Sequence, residues 1–209
     1  MPHLTPQTLL LLFLLPLLHP LAASTSIPDN YTNIPPLPPG IFTAQTRIHI
    51  TTTLPAAWSA LTNLPLYPTW NPFTRSATAI DPSNPITPPP QHPIQGNHLH
   101  MRTQIPPLPL PVDANTPDNP LHTQFAIENV THVQEEQGRL AWAYLFQIGL
   151  QAERWQALTD LGNGTVLYES REEFHGPLAV VLKGLMGRGL QEAFEAQGRG
   201  LKLLLEGDQ

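Results

Sequence analysis

The sequence contains no cysteine. That excludes disulfide bracing, thiol catalysis and cysteine-ligated zinc, so the fold must be held by its core alone. Charge is also scarce. Only 12% of residues are Asp, Glu, Lys or Arg, and the net charge of -6 argues against nucleic acid as a partner. Familiar chemical signatures are missing: no glycine-rich phosphate loop, no His-Glu-x-x-His helix, no nucleophile elbow and no zinc spacing. Nucleotide-dependent chemistry and a covalent serine are unsupported, and neither a cofactor nor a metal is expected.

The apolar run over residues 9–18 is too short for a comfortable membrane span. Followed by Leu21-Ala22-Ala23-Ser24, it reads as a secretory signal peptide over residues 1–23. No Lys or Arg precedes it, so an uncleaved anchor is the alternative. Sequons at Asn30, Asn129 and Asn163 agree with a secreted, glycosylated chain that keeps no stable membrane span.

Proline is what the chain has in excess, with 26 residues. They divide the chain into a lead-in over residues 24–40 and a domain over residues 41–209 with insertions near 81–95 and 105–120. Those segments are expected to be loops or extended linkers, the lead-in poorly ordered. One alternative function uses them directly: Pro106-Pro107-Leu108-Pro109 could hold an extracellular partner in an extended conformation.

Between the prolines the chain alternates like strands: residues 41–52, 74–80, 96–105, 121–133, 139–149, 153–161 and 165–175. A helix over residues 54–63 and a compact aromatic corner, Tyr67-Pro68-Thr69-Trp70-Asn71-Pro72-Phe73, separate the first two. Asn163-Gly164 marks a hairpin. Residues 174–206 form a long amphipathic helix. Leu182, Leu185, Leu190, Phe194 and Leu201 lie on its apolar arc, and Arg188–Glu192, Glu195–Arg199 and Lys202–Glu206 are paired on the wet one. Five glycines in that helix imply either a weak or broken stretch near 184–189 or close backbone approach. No other segment is long enough to pair with it as a bundle, so the helix must close over an antiparallel sheet in an α+β layer arrangement.

The opening strand with Pro55, Trp58 and Leu61, the aromatic corner, Leu140-x-Trp142, and Gly164-Thr165 followed by Glu172-x-Phe174-x-Gly176 together resemble the START-like (SRPBCC) superfamily in its polyketide cyclase/dehydrase-like branch. The resemblance runs in order over roughly residues 42–205. It implies a helix-grip fold: a curved antiparallel sheet around a long C-terminal helix, with two short helices after the first strand and a deep hydrophobic cavity. A small hydrophobic partner, whether polyketide, lipid or aromatic, is implied with it. Trp58, Trp70, Phe73, Met101 and Trp142 are candidate ligand contacts, as are Tyr144, Phe146, Phe174, Leu185 and Phe194.

Glu172 is the sharpest candidate for chemistry, because it shares a strand face with Val166, Tyr168 and Phe174. Burial without a partner would raise its pKa and make it a general acid or base, with Tyr168 as a second proton carrier. Pairing with an Arg, or a bulge turning it to solvent, is the competing reading. Arg154 and Arg171 could hold an anionic ligand, or simply pair with Glu153, Glu169 or Glu173. The expectation is a ligand-binding protein that cyclises or dehydrates its substrate without a cofactor, or else a carrier or sensor with no chemistry.

Overall fold

The computed structural model describes residues 30–146 and 148–207. The expected signal peptide lies outside the described residues. Within them the order is β1 (Phe42–Thr51), α1 (Leu54–Thr62), α2 (Tyr67–Trp70), β2 (Thr74–Ile80), β3 (His98–Gln104), β4 (Thr123–Gln134), β5 (Arg139–Tyr144), β6 (Gln151–Asp160), β7 (Thr165–His175) and α3 (Pro177–Glu206). The strands form one antiparallel sheet in the order β1-β7-β6-β5-β4-β3-β2, so β1 and β2 are its edges. This is the helix-grip arrangement expected from the sequence.

Local chemistry sets the boundaries. Thr53 caps α1 by accepting a hydrogen bond from the Ala56 N–H at 3.4 Å, and Pro55 occupies a first-turn position. The side chain of Asn71 ends α2 by accepting from the Phe73 and Thr74 N–H groups at 3.0 and 2.9 Å, which turns the aromatic corner into β2. β5 stops at Tyr144, five residues before the expected end at 149.

Helix α3 is unbroken for 30 residues, so the weak stretch expected near 184–189 does not occur. Two of its glycines have packing reasons. A Cβ at Gly200 would collide with the Trp70 carbonyl oxygen, and one at Gly189 would sit 3.0 Å from the Ile105 side chain. The helix also closes the free edge of β1. Gln191 exchanges hydrogen bonds with the backbone N–H and C=O of Gln45 at 3.0 and 2.9 Å, Lys202 donates to the His49 carbonyl at 2.8 Å, and Glu206 accepts from the Thr51 N–H at 2.7 Å. Side chains thus take up backbone groups that would otherwise template another strand.

Two proline-rich segments are more ordered than expected. The lead-in is pinned to the convex face. Asn33 accepts from Arg139 at 2.9 Å, its N–H donates to Glu169 at 2.9 Å, and Ile34 packs on Ala141, Trp155 and Ala157. The second insertion folds onto the aromatic corner around Arg75, which is 2% exposed. Arg75 donates to the carbonyls of Pro68, Asn71, Asp113 and Thr116 and pairs with Asp118 at 3.3 Å. Five polar partners account for the burial of this charge.

The core is asymmetric along α3. Its C-terminal half packs with α1, α2 and the sheet into a dense cluster that includes Leu61, Tyr67, Trp70, Leu158, Tyr168 and Leu201. Towards its N-terminal half it lies over a second cluster around Phe73, Phe174, Leu190 and Phe194. Two substitutions test the packing account of the glycines. Gly200→Ala should cost about 2 kcal/mol, because backbone would have to move. Gly184→Ala meets nothing within 4 Å and should stabilise by up to about 1 kcal/mol. Urea denaturation of both variants checks the pair.

Candidate functional site

Under the N-terminal half of α3 lies a cavity of about 160 Å³. Inward-facing side chains of β2 to β7 form its floor and walls, and Leu182, Met186 and Leu190 of α3 form its roof. Strand alternation sets two adjacent rows of this floor. Glu128 on β4 is registered with Tyr144 on β5, and Trp142 on β5 with Arg154 on β6. Arg154 is in turn registered with Glu172 on β7. Two carboxyl groups and a guanidinium therefore line one mainly apolar space, with the Tyr144 phenol beside them.

Arg154 is 3% exposed, and its neighbourhood is unusual for a cation. Its Nε donates to the Ser170 hydroxyl at 2.9 Å. The guanidinium carbon lies 4.0 Å from the centroid of Phe194, 5.4 Å from Phe73 and 5.8 Å from Trp142. The ring faces attract the charge but supply no lone pair. Nη2 is buried with no hydrogen-bond partner. The sequence offered surface pairing with Glu153 as an explanation of Arg154. The structure corrects that: Glu153 is on the opposite face of β6, where it accepts from Thr131 at 2.8 Å.

Neither Glu128 nor Glu172 has a hydrogen bond or an ion pair among the described residues. Burial pushes Glu172 up to about 7, and the nearby Arg154 charge only partly opposes it. Glu128, 9% exposed, is raised well above the usual carboxylate range, first by burial and then by the charge of Glu172. Near pH 7 the site thus holds one carboxyl close to half-ionised beside a second held well above the usual carboxylate range. That is the pattern of an acid–base pair.

Tyr168 is placed elsewhere. It is fully buried in the dense half of the core, where its hydroxyl donates to Gln156 Oε1 at 2.6 Å and accepts from Gln197 Nε2 at 3.1 Å. It links α3 to the sheet and does not line the cavity, and burial raises its pKa. Phe73, Met101, Trp142, Tyr144 and Phe174 are brought together in the cavity wall. Phe194 stacks on Arg154 beside it. Trp58 and Trp70 pack into the dense half instead. Leu185 is 79% exposed on the outer side of α3, and Phe146, 54% exposed, falls beyond the end of β5. Arg171 lies on the convex side of β7 and pairs with Glu173 at 2.6 Å, apart from Arg154. Of the sequon asparagines, Asn30 and Asn163 are exposed, and Asn129 is half-buried in β4.

Glu128 is the cavity residue that sequence reasoning missed. The stronger apolar alternation of β4 runs through Phe125 and Ile127, yet that set faces outward and Phe125 is 78% exposed. The usable signal was the opposite set, Gln124, Ala126, Glu128 and Val130, which ends at the register shift between Val130 and His132. A larger groove of about 700 Å³ runs outside, between β1 and α3, with Gln45, Arg47, Glu195 and Arg199 on its walls. Its polar side chains face solvent, whereas the inner cavity joins apolar walls to unpaired buried groups. Among the described residues there is no cluster of His, Asp or Glu able to hold a metal ion. No helix among them is long and apolar enough to cross a membrane.

No family model and no curated protein sequence matches the chain. Solved structures do resemble it. A START superfamily protein from Mycobacterium smegmatis aligns with a TM-score of 0.51 at 13% identity, covering 78% of this chain and 97% of that one. Ginseng major latex-like protein 151 from Panax ginseng aligns at 0.56 and 9% identity, covering 78% and 97%. Truncated norcoclaurine synthase from Thalictrum flavum aligns at 0.53 and 11% identity, covering 80% and 95%. The chain shares the helix-grip fold of these structures.

The raised Glu172 has a stability signature. Between about pH 4.5 and about pH 7 the folded chain holds a proton there that the unfolded chain has released. Stability therefore falls as pH rises through that window, by on the order of 3 kcal/mol when the group is fully ionised. Glu172→Gln should remove this slope. The variant should be more stable than the parent above pH 7, and that difference should shrink towards pH 4.5, as read by urea denaturation across pH.

Proposed function

We propose that this protein binds a small hydrophobic molecule in the cavity beneath α3 and that the cavity carboxyl groups can move a proton on it. The observation carrying this reading is the conjunction in one apolar space of Arg154, Glu128 and Glu172, none of them in an ion pair. Stability alone favours filling such a space with well-packed hydrophobes, since unpaired buried charge is costly. Structural likeness to a START superfamily protein and to norcoclaurine synthase supports the reading at the level of fold.

In its enzymatic form, ionised Glu172 removes a proton next to a carbonyl of the bound molecule. Arg154 and the protonated Glu128 stabilise the enolate oxygen that results. This is the chemistry a cyclase or dehydratase needs, and it requires no cofactor. Volume restricts the substrate. About 160 Å³ holds roughly one aromatic ring, whereas drug-sized ligands occupy about 300–1,000 Å³. A folded poly-carbonyl chain of the polyketide type therefore needs a wider space than this conformation offers. A carrier or sensor role is the second reading. The observation favouring it is that Tyr168, the other proposed proton carrier, sits in the α3–sheet network. We extend the secretory expectation to a mature chain beginning near residue 24 with glycans at the exposed Asn30 and Asn163. Intact-mass measurement on protein from its own source checks that.

Native mass spectrometry of the same material should reveal a co-purifying small hydrophobe. Met101→Trp, which fills the cavity wall, should abolish that adduct while costing about 1–3 kcal/mol of stability. Glu172→Gln should keep the adduct. Loss of turnover in that variant marks an enzyme, and a parent with no turnover on the identified ligand marks a carrier. An empty cavity in purified protein, together with no shift of the Met101 methyl resonance by any small aromatic compound, would sink the ligand-binding reading.

A further inference from the structure

We propose that the molecule taken by this cavity is an anion: a ring-sized hydrophobe bearing a carboxylate or comparable oxyanion, seated against Arg154 and taken up together with a proton. The proposal rests on the cavity being a ligand site and specifies what that site selects; with Glu172 protonated and Arg154 engaged in the complex, it favours the carrier reading over enolate formation.

The argument starts from the unsatisfied donor. Ser170 takes the Nε proton of Arg154 and three aromatic rings surround the guanidinium plane, yet Nη2 has no acceptor and is buried. A buried guanidinium nitrogen without an acceptor carries the desolvation penalty of a charged group. A ligand oxyanion relieves it with a charge-assisted hydrogen bond, roughly twice as strong as a neutral one. A neutral oxygen does so less well. An ammonium ligand supplies no acceptor and leaves Nη2 as it is.

Charge balance points the same way and adds the proton. The charged and titratable groups facing this space are Glu128 from β4, Tyr144 from β5, Arg154 from β6 and Glu172 from β7, and Tyr168 of β7, outside the cavity, also bears on Arg154. The residues contributed by β2, β3 and α3 carry no charge. With both carboxyl groups protonated the site carries one positive charge, and one incoming anion neutralises it. With Glu172 ionised, the same anion would add a second negative charge to a low-dielectric space already neutral. Anion binding and Glu172 protonation are therefore linked, and affinity must fall as pH rises through about 7. An amine would show the reverse, because it needs the carboxylates ionised.

The test uses the full chain with benzoate, benzyl alcohol and benzylamine, three ligands of one ring size. Isothermal titration calorimetry between about pH 6 and about pH 8, in buffers of different ionisation enthalpy, reads affinity and proton uptake together. Benzoate should bind tightest, take up about half a proton per molecule near pH 7 and close to one near pH 8, and weaken towards about tenfold per pH unit above 7. The Met101 and Met186 methyl resonances should shift with it. Glu172→Gln, which cannot ionise, should keep benzoate binding at about pH 8 and flatten the slope. Arg154→Met should erase the preference for benzoate over benzyl alcohol. Should that variant fail to fold, the pH slope of the parent and its loss in Glu172→Gln still decide the matter. Benzylamine binding more tightly than benzoate, benzoate affinity rising with pH, or equal binding of benzoate and benzyl alcohol would each overturn the anion proposal and leave the cavity as a ligand site. No binding by any of the three, with unmoved methionine resonances, would remove the ligand site itself.

Discussion

The attachment of α3 to the sheet at one end governs everything around it. Gln197 Nε2 donates to Gln156 Oε1 at 3.0 Å and to the Tyr168 hydroxyl at 3.1 Å. Ala193 and Leu201, both fully buried, let the helix lie close on either side. The helix is unbroken for 30 residues, about 45 Å, so its fixed C-terminal half sets the course on which the rest crosses the sheet. The hollow lies under the other half, beneath Leu182 and Met186. The bonds from Gln191, Lys202 and Glu206 to the β1 edge add a second line of attachment. They hold the helix against sideways movement as well as lifting.

Inside that hollow the position of Arg154 sets the character of the carboxyl groups. Its guanidinium is drawn to Ser170 and the face of Phe194, not to either carboxylate. Were it turned onto Glu172, with which it is registered across β6 and β7, the ion pair would pull that carboxyl back towards the usual range. The aromatic seat therefore does two things at once. It stabilises a buried cation by its ring faces, and it withholds that cation from the acids. A carboxyl poised near neutrality, instead of a quenched salt bridge, follows from where three rings were placed. Ser170, Phe73 and Phe194 thus act on the proton chemistry through Arg154, without any need to touch a ligand.

Much of this was legible in the sequence because it is local or periodic. The bounds of β2 and β7, the hairpin at Asn163-Gly164, the α1 start at Pro55 and the helical face with its three charged pairs are all present as read. Glu172 was legible as an inward carboxylate because its neighbours on β7 alternate cleanly. What resisted was whatever depends on neighbours distant in the chain. Arg154 looks like a surface cation beside Glu153 until the sheet assigns the two residues to opposite faces. Glu128 is hidden by an outward apolar set on its own strand. Tyr168 reads as a cavity residue from β7 alone, and only the arrival of Gln197 from α3 shows it is spoken for. The order of the lead-in depends on Asn33 meeting Arg139 and Glu169, each more than a hundred residues away.

The size of the hollow follows from the same asymmetry, and so does any change in it. The C-terminal half of α3 cannot lift without breaking the Gln197 bonds and exposing Phe194 and Leu201, so extra space has to come from the half over the cavity. There Gly184 and Gly187 lie in the helix with no backbone pressed against them. Each costs roughly 1 kcal/mol of helix stability relative to alanine, with no tight packing to account for it. Gly189 is different, held by Ile105 and Pro106 at the point where the second proline-rich segment meets the helix. The compliant glycines are thus confined between Pro177 and that fixed point, directly over the cavity that Leu182 and Met186 roof. A ligand larger than one ring needs this stretch to bend. The dense half of the molecule would keep its packing while the ligand enters.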